Sequence, residues 1–451
     1  MSGKLNVLLH GIHVATIENT EGDVNVVTID RDFANDPEAP TLSFNAFRDP
    51  ATGAYRTTPR PTQTVAHPYF ANLLPEGPLR KYLAAHAHVK SIRDFPLLWL
   101  LGNDLPGALI MRDADGAELP PPDDDAITEA DEEHAPSVLR FSLSGVQLKF
   151  SASGDPDRGL TIPVRGMGGH WIVKLPDQRY DRVPENEFSM MTFAKAVGID
   201  VPRVGLVSRN DIGGVPIDVR FEGNAYYIKR FDRTTDGSRI HTEDFAQANQ
   251  LYPSEKYRRF NFDQLLIQVA DAMGSEPAMA LIERIVFNIG IGNGDMHAKN
   301  WSVIYRDGRT PSLAPAYDYV STLLYVEAEN VGMNLAGTKQ FLDIDMERLM
   351  RLAARAHIST KIAEMRARRM VERMREIWPT IKETLPLAND LREAITEHIA
   401  RVPLFTGQRA LASVNGHRRE AKAASTPTLT APIANAASAR QSRPRSRPDA
   451  S

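Results

Sequence analysis

The sequence predicts an α+β protein, with a small β-rich N-terminal module followed by two lobes, the second mostly helical. Three observations carry this reading. Strand-like alternation opens the chain, as in Leu5-Asn6-Val7-Leu8-Leu9 and Val24-Asn25-Val26-Val27-Thr28-Ile29, where residues two apart share a face. An acidic, proline-bearing stretch then interrupts the globular pattern. Beyond residue 236 apolar residues recur at helical spacing, as with Ala367, Val371, Met374 and Trp378.

The expected organisation is therefore an N-terminal module over 1–112, an acidic linker over 113–136, a first lobe over 137–235, a helical lobe over 236–400 and a basic tail over 401–451. The 451 residues suffice for two or three domains. Hydrophobic content of 42% and charged content of 24% are ordinary for a soluble globular chain. The absence of cysteine excludes disulfides, thiolate metal sites and a cysteine nucleophile. No apolar signal core follows Met1, and Asn103, Asp104 and Pro106 break the greasiest run, Phe95 to Met111, so a cytoplasmic location is expected. The net charge of −4 hides an asymmetry. Asp113 to His134 holds ten acids and no base, whereas Phe405 to Ser451 holds eight Lys/Arg against two acids. The acidic block reads as solvated linker, and the tail has too few large apolar residues to fold alone. As a basic segment the tail also suits a nucleic-acid arm.

Within the N-terminal module, Asn19-Thr20-Glu21-Gly22-Asp23 marks a turn between strands. Tyr69 to His88 is expected to be one helix around Leu73, Leu74, Leu79 and Leu83, and Phe95 to Leu101 a second. After the linker, strand-like ends flank Ser142-Leu143-Ser144-Gly145-Val146-Gln147-Leu148-Lys149. Small residues in such a turn bring backbone N–H groups near phosphates; a plain hairpin has the same pattern. Gly169-His170-Trp171-Ile172-Val173-Lys174-Leu175-Pro176 reads as a buried strand carrying one charge, with Ile172 and Lys174 on one face. A lysine there needs an anion, because burying it unpaired is expensive. A helix follows, with Pro184 at its start, Phe188, Met191, Phe193 and Val197 as its stripe and Gly198 at its end. Glu187 in its first turn is either the partner of Lys174 or a solvent-facing acid at a helix N-terminus. Ala225 to Arg233 is a strand ending in charges, His241 to Gln247 a polar segment opening a helix, and Phe260–Met273 and Met279–Ile291 two apolar-periodic helices. The chain is helical again from Asp343 to His398, where Arg366, Arg368, Arg369, Arg373 and Arg375 oppose the apolar stripe. That face is either solvated or a phosphate-backbone contact.

The second of those helices delivers the chain to Gly292-Asn293-Gly294-Asp295-Met296-His297-Ala298-Lys299-Asn300, with Tyr317-Asp318 downstream. One acid to orient an attacking hydroxyl, plus one amide and one acid to hold a metal, is the minimum for magnesium-assisted phosphoryl transfer. Protein kinases use the same D-x-x-x-x-N spacing, though Gly294 stands where they place Arg. Small-molecule phosphotransferases share G-D-x-H-x-x-N, and a polar loop after an apolar helix can match by chance.

In their order, Phe70-Ala71-Asn72-Leu73-Leu74-Pro75-Glu76-Gly77, the Ser142–Lys149 segment, Ile172-Val173-Lys174-Leu175-Pro176, Asn186-Glu187, Lys229-Arg230-Phe231-Asp232-Arg233, Gly294 to Asn300 and Tyr317-Asp318 resemble the HipA family, serine/threonine kinase toxins of bacterial toxin–antitoxin pairs. The resemblance runs from the first strand to about residue 400 and implies a protein-kinase-like fold. It implies ATP and magnesium as cofactors, Asp295 as the catalytic acid, and Asn300 and Asp318 as the metal ligands. Lys174, with Glu187 behind it, would contact ATP phosphates. Ser144, Gly145, Val146, Gln147, Leu148 and Lys149 would cover them, while Lys229, Arg230, Phe231, Tyr317 and Asp318 border the nucleotide. His297 would be structural, and Ser142 the site of self-inactivating autophosphorylation. The implied partners are a small helix-turn-helix, HipB-like antitoxin dimer, operator DNA through that complex, and a protein substrate such as an aminoacyl-tRNA synthetase. A small-molecule phosphotransferase and a non-catalytic DNA-bound corepressor are the alternatives.

Overall fold

The computed structural model describes residues 3–117, 120, 148–162, 169–176, 180–215, 219–326 and 330–409. Most of the expected linker, Ser142 to Gln147 and nearly all of the basic tail lie outside these residues.

The N-terminal module is a five-stranded antiparallel sheet with its helices packed on one face. Its strands are β1 (Gly3–Leu9), β2 (Ile12–Thr20), β3 (Val24–Ile29), β4 (Arg60–Gln63) and β5 (Leu109–Asp113), in the order β4-β3-β2-β1-β5. Alternate residues Leu5, Val7 and Leu9 point into a core shared with Phe95, Leu98 and Met111. Helix α1 (Arg31–Asn35) follows β3, capped by the Asp30 side chain. The helix expected over Tyr69 to His88 is two, α2 (Pro68–Ala71) and α3 (Gly77–His86). Pro75 disfavours the helical conformation of the residue before it, and Gly77 adopts φ 58°. The break leaves Leu73 and Leu74 in the core but turns Glu76 toward the rest of the chain. Helix α4 (Asp94–Leu101) completes the module, its Gly102 cap so tight against β5 that a Cβ would lie 2.3 Å from the Met111 carbonyl oxygen.

A six-stranded sheet follows, made of β6 (Lys149–Asp155), β7 (Gly159–Thr161), β8 (Trp171–Lys174), β9 (Val204–Ser208), β10 (Ile212–Gly213) and β11 (Asn224–Lys229). Their order is β10-β7-β6-β8-β11-β9, antiparallel except for β10 with β7. Trp171 and Val173 enter this sheet's small core, which leaves Ile172 and Lys174 on the opposite face, as alternation predicts. Helix α5 (Val183–Ala196) drives Met190, Met191, Phe193 and Ala194 into the main core. Pro184 sits in its first turn, and Gly198 follows the Val197 cap at φ 92°. Glu187 falls just past that first turn and is buried, so it is not a solvent-facing acid.

The remainder is largely helical. Strand β12 (His241–Asp244) leads into α6 (Phe245–Ala248), opened by a capping box between Asp244 and Gln247. Helices α7 (Phe262–Met273) and α8 (Ser275–Gly290) follow, and α8 is buried along most of its length. Strands β13 (Ser302–Tyr305) and β14 (Ser312–Leu313) join β12 in the order β12-β13-β14, and β15 (Asn330–Leu335) pairs with β16 (Thr338–Gln340). Helix α9 (Met346–Arg355) packs on α7, α10 (Thr360–Ile381) runs along α8, and α11 (Asn389–Arg401) touches α8 and packs with α12 (Pro403–Thr406). The α10 stripe of Ala367, Val371, Met374 and Trp378 is core, as its spacing predicts. On its other face Arg366 pairs with Glu276, Arg368 with Glu364, and Arg373 donates to the Val197 carbonyl, so much of that charge is used within the molecule. No helix among the described residues is long and apolar enough to cross a membrane.

The N-terminal module is keyed to the rest by buried polar contacts. The Ser43 hydroxyl and Phe44 N–H donate to Glu243, as does the Tyr305 hydroxyl. Asp104 pairs with both Arg230 and Arg233 just beyond β11.

Candidate active site

The loop after α8 is built to hold one carboxylate still. Helix α8 ends at Gly290, and Gly292 turns the chain at φ 66°, where a Cβ would strike the Leu323 side chain at 2.5 Å. Asn293 donates its side-chain N–H to Asn288 and accepts the Asp295 backbone N–H at 2.9 Å. The Gly294 N–H donates to the Thr322 hydroxyl at 2.8 Å. The Asn300 amide donates to the Asp295 carbonyl at 2.8 Å, closing the five-residue span. Fixing its N–H this way leaves the Asn300 amide oxygen as the free acceptor. The Tyr257 hydroxyl donates to the Asp295 carboxylate. Burial pushes that carboxyl up to about 6, against the Tyr257 hydrogen bond, which lowers it.

Facing this loop is a three-charge cluster. The Lys174 ammonium donates to Glu187 at 2.7 Å and to Asp318. Asp318 reaches it from a left-handed backbone at φ 61°. Burial opposes the charge on Lys174, but Asp318 and Glu187 together hold its pKa above the usual lysine range. Burial likewise works against Asp318, yet Lys174 keeps its carboxyl well below the usual range. Glu187, the most enclosed of the three, is pushed up to about 7 by burial despite Lys174. The shared lysine proton thus faces one firmly ionised acid, Asp318, and one that burial brings close to neutrality.

The other expected residues lie around the same cleft. Lys149 opens β6 directly opposite Lys174 in register, and the Leu175 N–H donates to the Leu148 carbonyl. Lys229, Arg230 and Phe231 line the cleft at the end of β11. The Arg230 guanidinium, however, is committed to Asp232 and Asp104. The Phe231 and Tyr317 rings meet at 5.7 Å as an apolar edge, and the Tyr317 hydroxyl donates to the Lys299 carbonyl. His297 is buried with its ring against Tyr257, and burial pushes it down to about 3, which keeps the imidazole neutral near pH 7. Ser142, Ser144, Gly145, Val146 and Gln147 lie outside the described residues.

The donor set suits magnesium and a nucleotide phosphate. An amide oxygen on Asn300 and a carboxylate on Asp318 are hard oxygen ligands, and magnesium takes few protein ligands because it keeps water and phosphate oxygens. No group of three or more His, Cys, Asp or Glu suited to an all-protein metal cage occurs among the described residues. A phosphate chain requires a cation beside it, and the Lys174 ammonium is a charge of that kind.

Three neighbours were not anticipated. Tyr257 had no sequence signal at all. Lys299 lay unremarked inside the Asp295–Asn300 span, and Glu76 inside the Phe70–Gly77 segment. Glu76 accepts from Lys299 at 2.7 Å and from Lys256 at 3.0 Å.

Known proteins resemble this chain over most of its length. Residues 5–112 match the family model of the HipA N-terminal domain, and residues 141–378 that of the HipA-like C-terminal domain. The candidate kinase Y4dM of Sinorhizobium fredii is 45% identical over 405 residues, which is 89% of this chain and 97% of that protein. The serine/threonine-protein kinase toxin HipA of Shewanella oneidensis is 26% identical over 294 residues, 58% of this chain and 64% of the toxin. A solved complex of HipA, HipB and operator DNA from Shewanella oneidensis contains a chain that superposes with a TM-score of 0.64. That likeness covers 90% of this chain and 98% of the other at 21% identity, and it shows the shared fold.

Proposed function

The chain belongs to the HipA family, and from that premise we propose that it is an ATP- and magnesium-dependent protein serine/threonine kinase, the toxin of a toxin–antitoxin pair. The observation that carries this is Lys174 held by Glu187 and Asp318 across the cleft from Asp295 and Asn300. ATP with magnesium supplies the phosphoryl group and neutralises its developing charge. Lys174 binds the phosphate chain, and Glu187 keeps its ammonium in place. The Asn300 amide oxygen and the Asp318 carboxylate would hold magnesium. Asp295 orients the acceptor hydroxyl and takes its proton, for which a carboxyl raised toward neutrality is well matched. Phe231 and Tyr317 border the base of the nucleotide. Leu148 and Lys149 end the loop that covers the phosphates, with Ser142 its autophosphorylation site. Adding nearly two negative charges at Ser142 would repel ATP and switch the enzyme off.

By family, the acceptor is a component of translation such as an aminoacyl-tRNA synthetase. The partners are a small HipB-like antitoxin dimer and, through it, operator DNA. The Shewanella complex of HipA, HipB and operator DNA supports this assembly. The test is transfer from labelled ATP, with magnesium, into proteins of a cell lysate. One foreign band and a band at the enzyme's own mass are expected, the latter lost in Ser142→Ala. Label confined to small molecules, or absent everywhere despite ATP binding, would overturn the reading.

A further inference from the structure

Glu76 belongs to the N-terminal module, yet its carboxylate lies at the catalytic loop. The break between α2 and α3 puts it there. Its two oxygens take different lysines, Oε1 that of Lys299 at 2.7 Å and Oε2 that of Lys256 at 3.0 Å. Each lysine is the chain neighbour of a group already placed at the centre. Lys299 precedes Asn300, and Lys256 precedes Tyr257, whose hydroxyl donates to the Asp295 carboxylate. The same module adds a second hold, since the Asn72 carbonyl accepts from Lys299 at 3.3 Å and the Asn72 amide donates to the Leu251 carbonyl at 2.6 Å. The segment around Tyr257 is also tied to the loop directly, the Ala298 N–H donating to the Lys256 carbonyl at 3.2 Å. Glu76 is three-quarters enclosed, with its side chain 27% exposed, and burial of its charge is outweighed by the two lysines, which hold it down to about 2. A partly desolvated carboxylate that bridges two lysines fixes geometry as well as charge.

We propose that Glu76 is a positioning residue of the phosphotransfer centre, through which the N-terminal module holds Lys256-Tyr257 and Lys299-Asn300, and so the Asp295 carboxylate, in working register. This inference rests on the kinase reading above. It assigns the N-terminal module a part in the reaction itself, since that module reaches the centre from one side while the ATP lysine reaches it from the other. A catalytic group held loosely loses rate even when every reacting residue is present.

The test compares wild type, Glu76→Gln, Tyr257→Phe and the double variant of the full chain, each with Asp295→Ala as the blank. Kinetics of transfer from labelled ATP, with magnesium, into the labelled band of the cell lysate are read alongside thermal melting. Glu76→Gln is expected to lower kcat about tenfold while KM for ATP changes less than twofold, because the Lys174 side of the cleft is untouched. Tyr257→Phe should do the same, and the double variant should lose little more than either single one, since both cut a single linkage. Lys256→Met, which removes one arm of the clamp without altering the N-terminal module, gives a second route to the same kcat loss should Glu76→Gln melt early. Full kcat in Glu76→Gln, or multiplicative losses in the double variant, would overturn the inference while leaving the kinase reading intact. A wild type that transfers no phosphate would overturn the kinase reading, and the inference with it.

Discussion

Gly294 shows why this loop departs from the protein-kinase pattern it otherwise follows. A Cβ there would lie 2.8 Å from both the Asn330 carbonyl and the Thr322 hydroxyl, the group that accepts the Gly294 N–H. The β15 end of the chain therefore occupies the space that the usual arginine would need. Gly294→Ala is expected to displace Asp295 and cost tenfold or more in kcat, with a melting point lowered by only a few degrees; unaltered turnover would show that the loop has slack. Lys174 is the complementary case. Replacing it with Met leaves Glu187 and Asp318 facing each other without their shared cation. Loss of ATP binding by isothermal titration, with about 2–3 kcal/mol of destabilisation in urea, is the expected result. Retained ATP affinity would remove Lys174 from the phosphate site.

The Asp-x-x-x-x-Asn spacing was legible because five residues of loop is a short-range constraint. Lys174 was legible because alternation within one strand fixes its face. Glu187 was only half legible, since its burial depends on how α5 lies over the sheet, which no local pattern records. The break at Pro75 was misread. The leucine periodicity of Leu73, Leu74, Leu79 and Leu83 outweighed a proline and a glycine that each stop a helix; Leu73 and Leu74 are in the module's core for tertiary reasons, and Leu83 is only half-buried. Tyr257 was invisible, because its contact to Asp295 joins residues 38 apart in sequence. Helix placement behind the loop is tight as well. At Gly290, the last residue of α8, a Cβ would meet the Met374 side chain of α10 and the Phe405 ring of α12 at 2.5 Å each. Gly290→Ala should cost about 1–3 kcal/mol by overpacking and shift the start of the catalytic loop. A denaturant midpoint equal to wild type would show that α10 gives way freely.

Across the whole molecule, the N-terminal module is joined to the kinase-like lobes by charges that titrate. Glu76 has a folded pKa of about 2 against an ordinary 4.5, so the stability it contributes is complete above 4.5 and is lost as pH falls toward 2. Discounting its partial exposure, about 2 kcal/mol is at stake. Acid unfolding followed by tryptophan fluorescence should therefore separate wild type from Glu76→Gln at pH 6 and bring the two together near pH 2. Parallel curves throughout would mean that the lysines hold Glu76 only weakly. The proposed reaction divides labour across the cleft, with nucleotide binding on the Lys174 side and phosphoryl transfer at Asp295. The most direct measurement takes one preparation of Asp295→Ala beside wild type and records both magnesium-ATP affinity and the initial rate of phosphate transfer to protein. An affinity within a fewfold of wild type and a transfer rate lower by at least a thousandfold are expected. Transfer at an undiminished rate by Asp295→Ala would contradict that division.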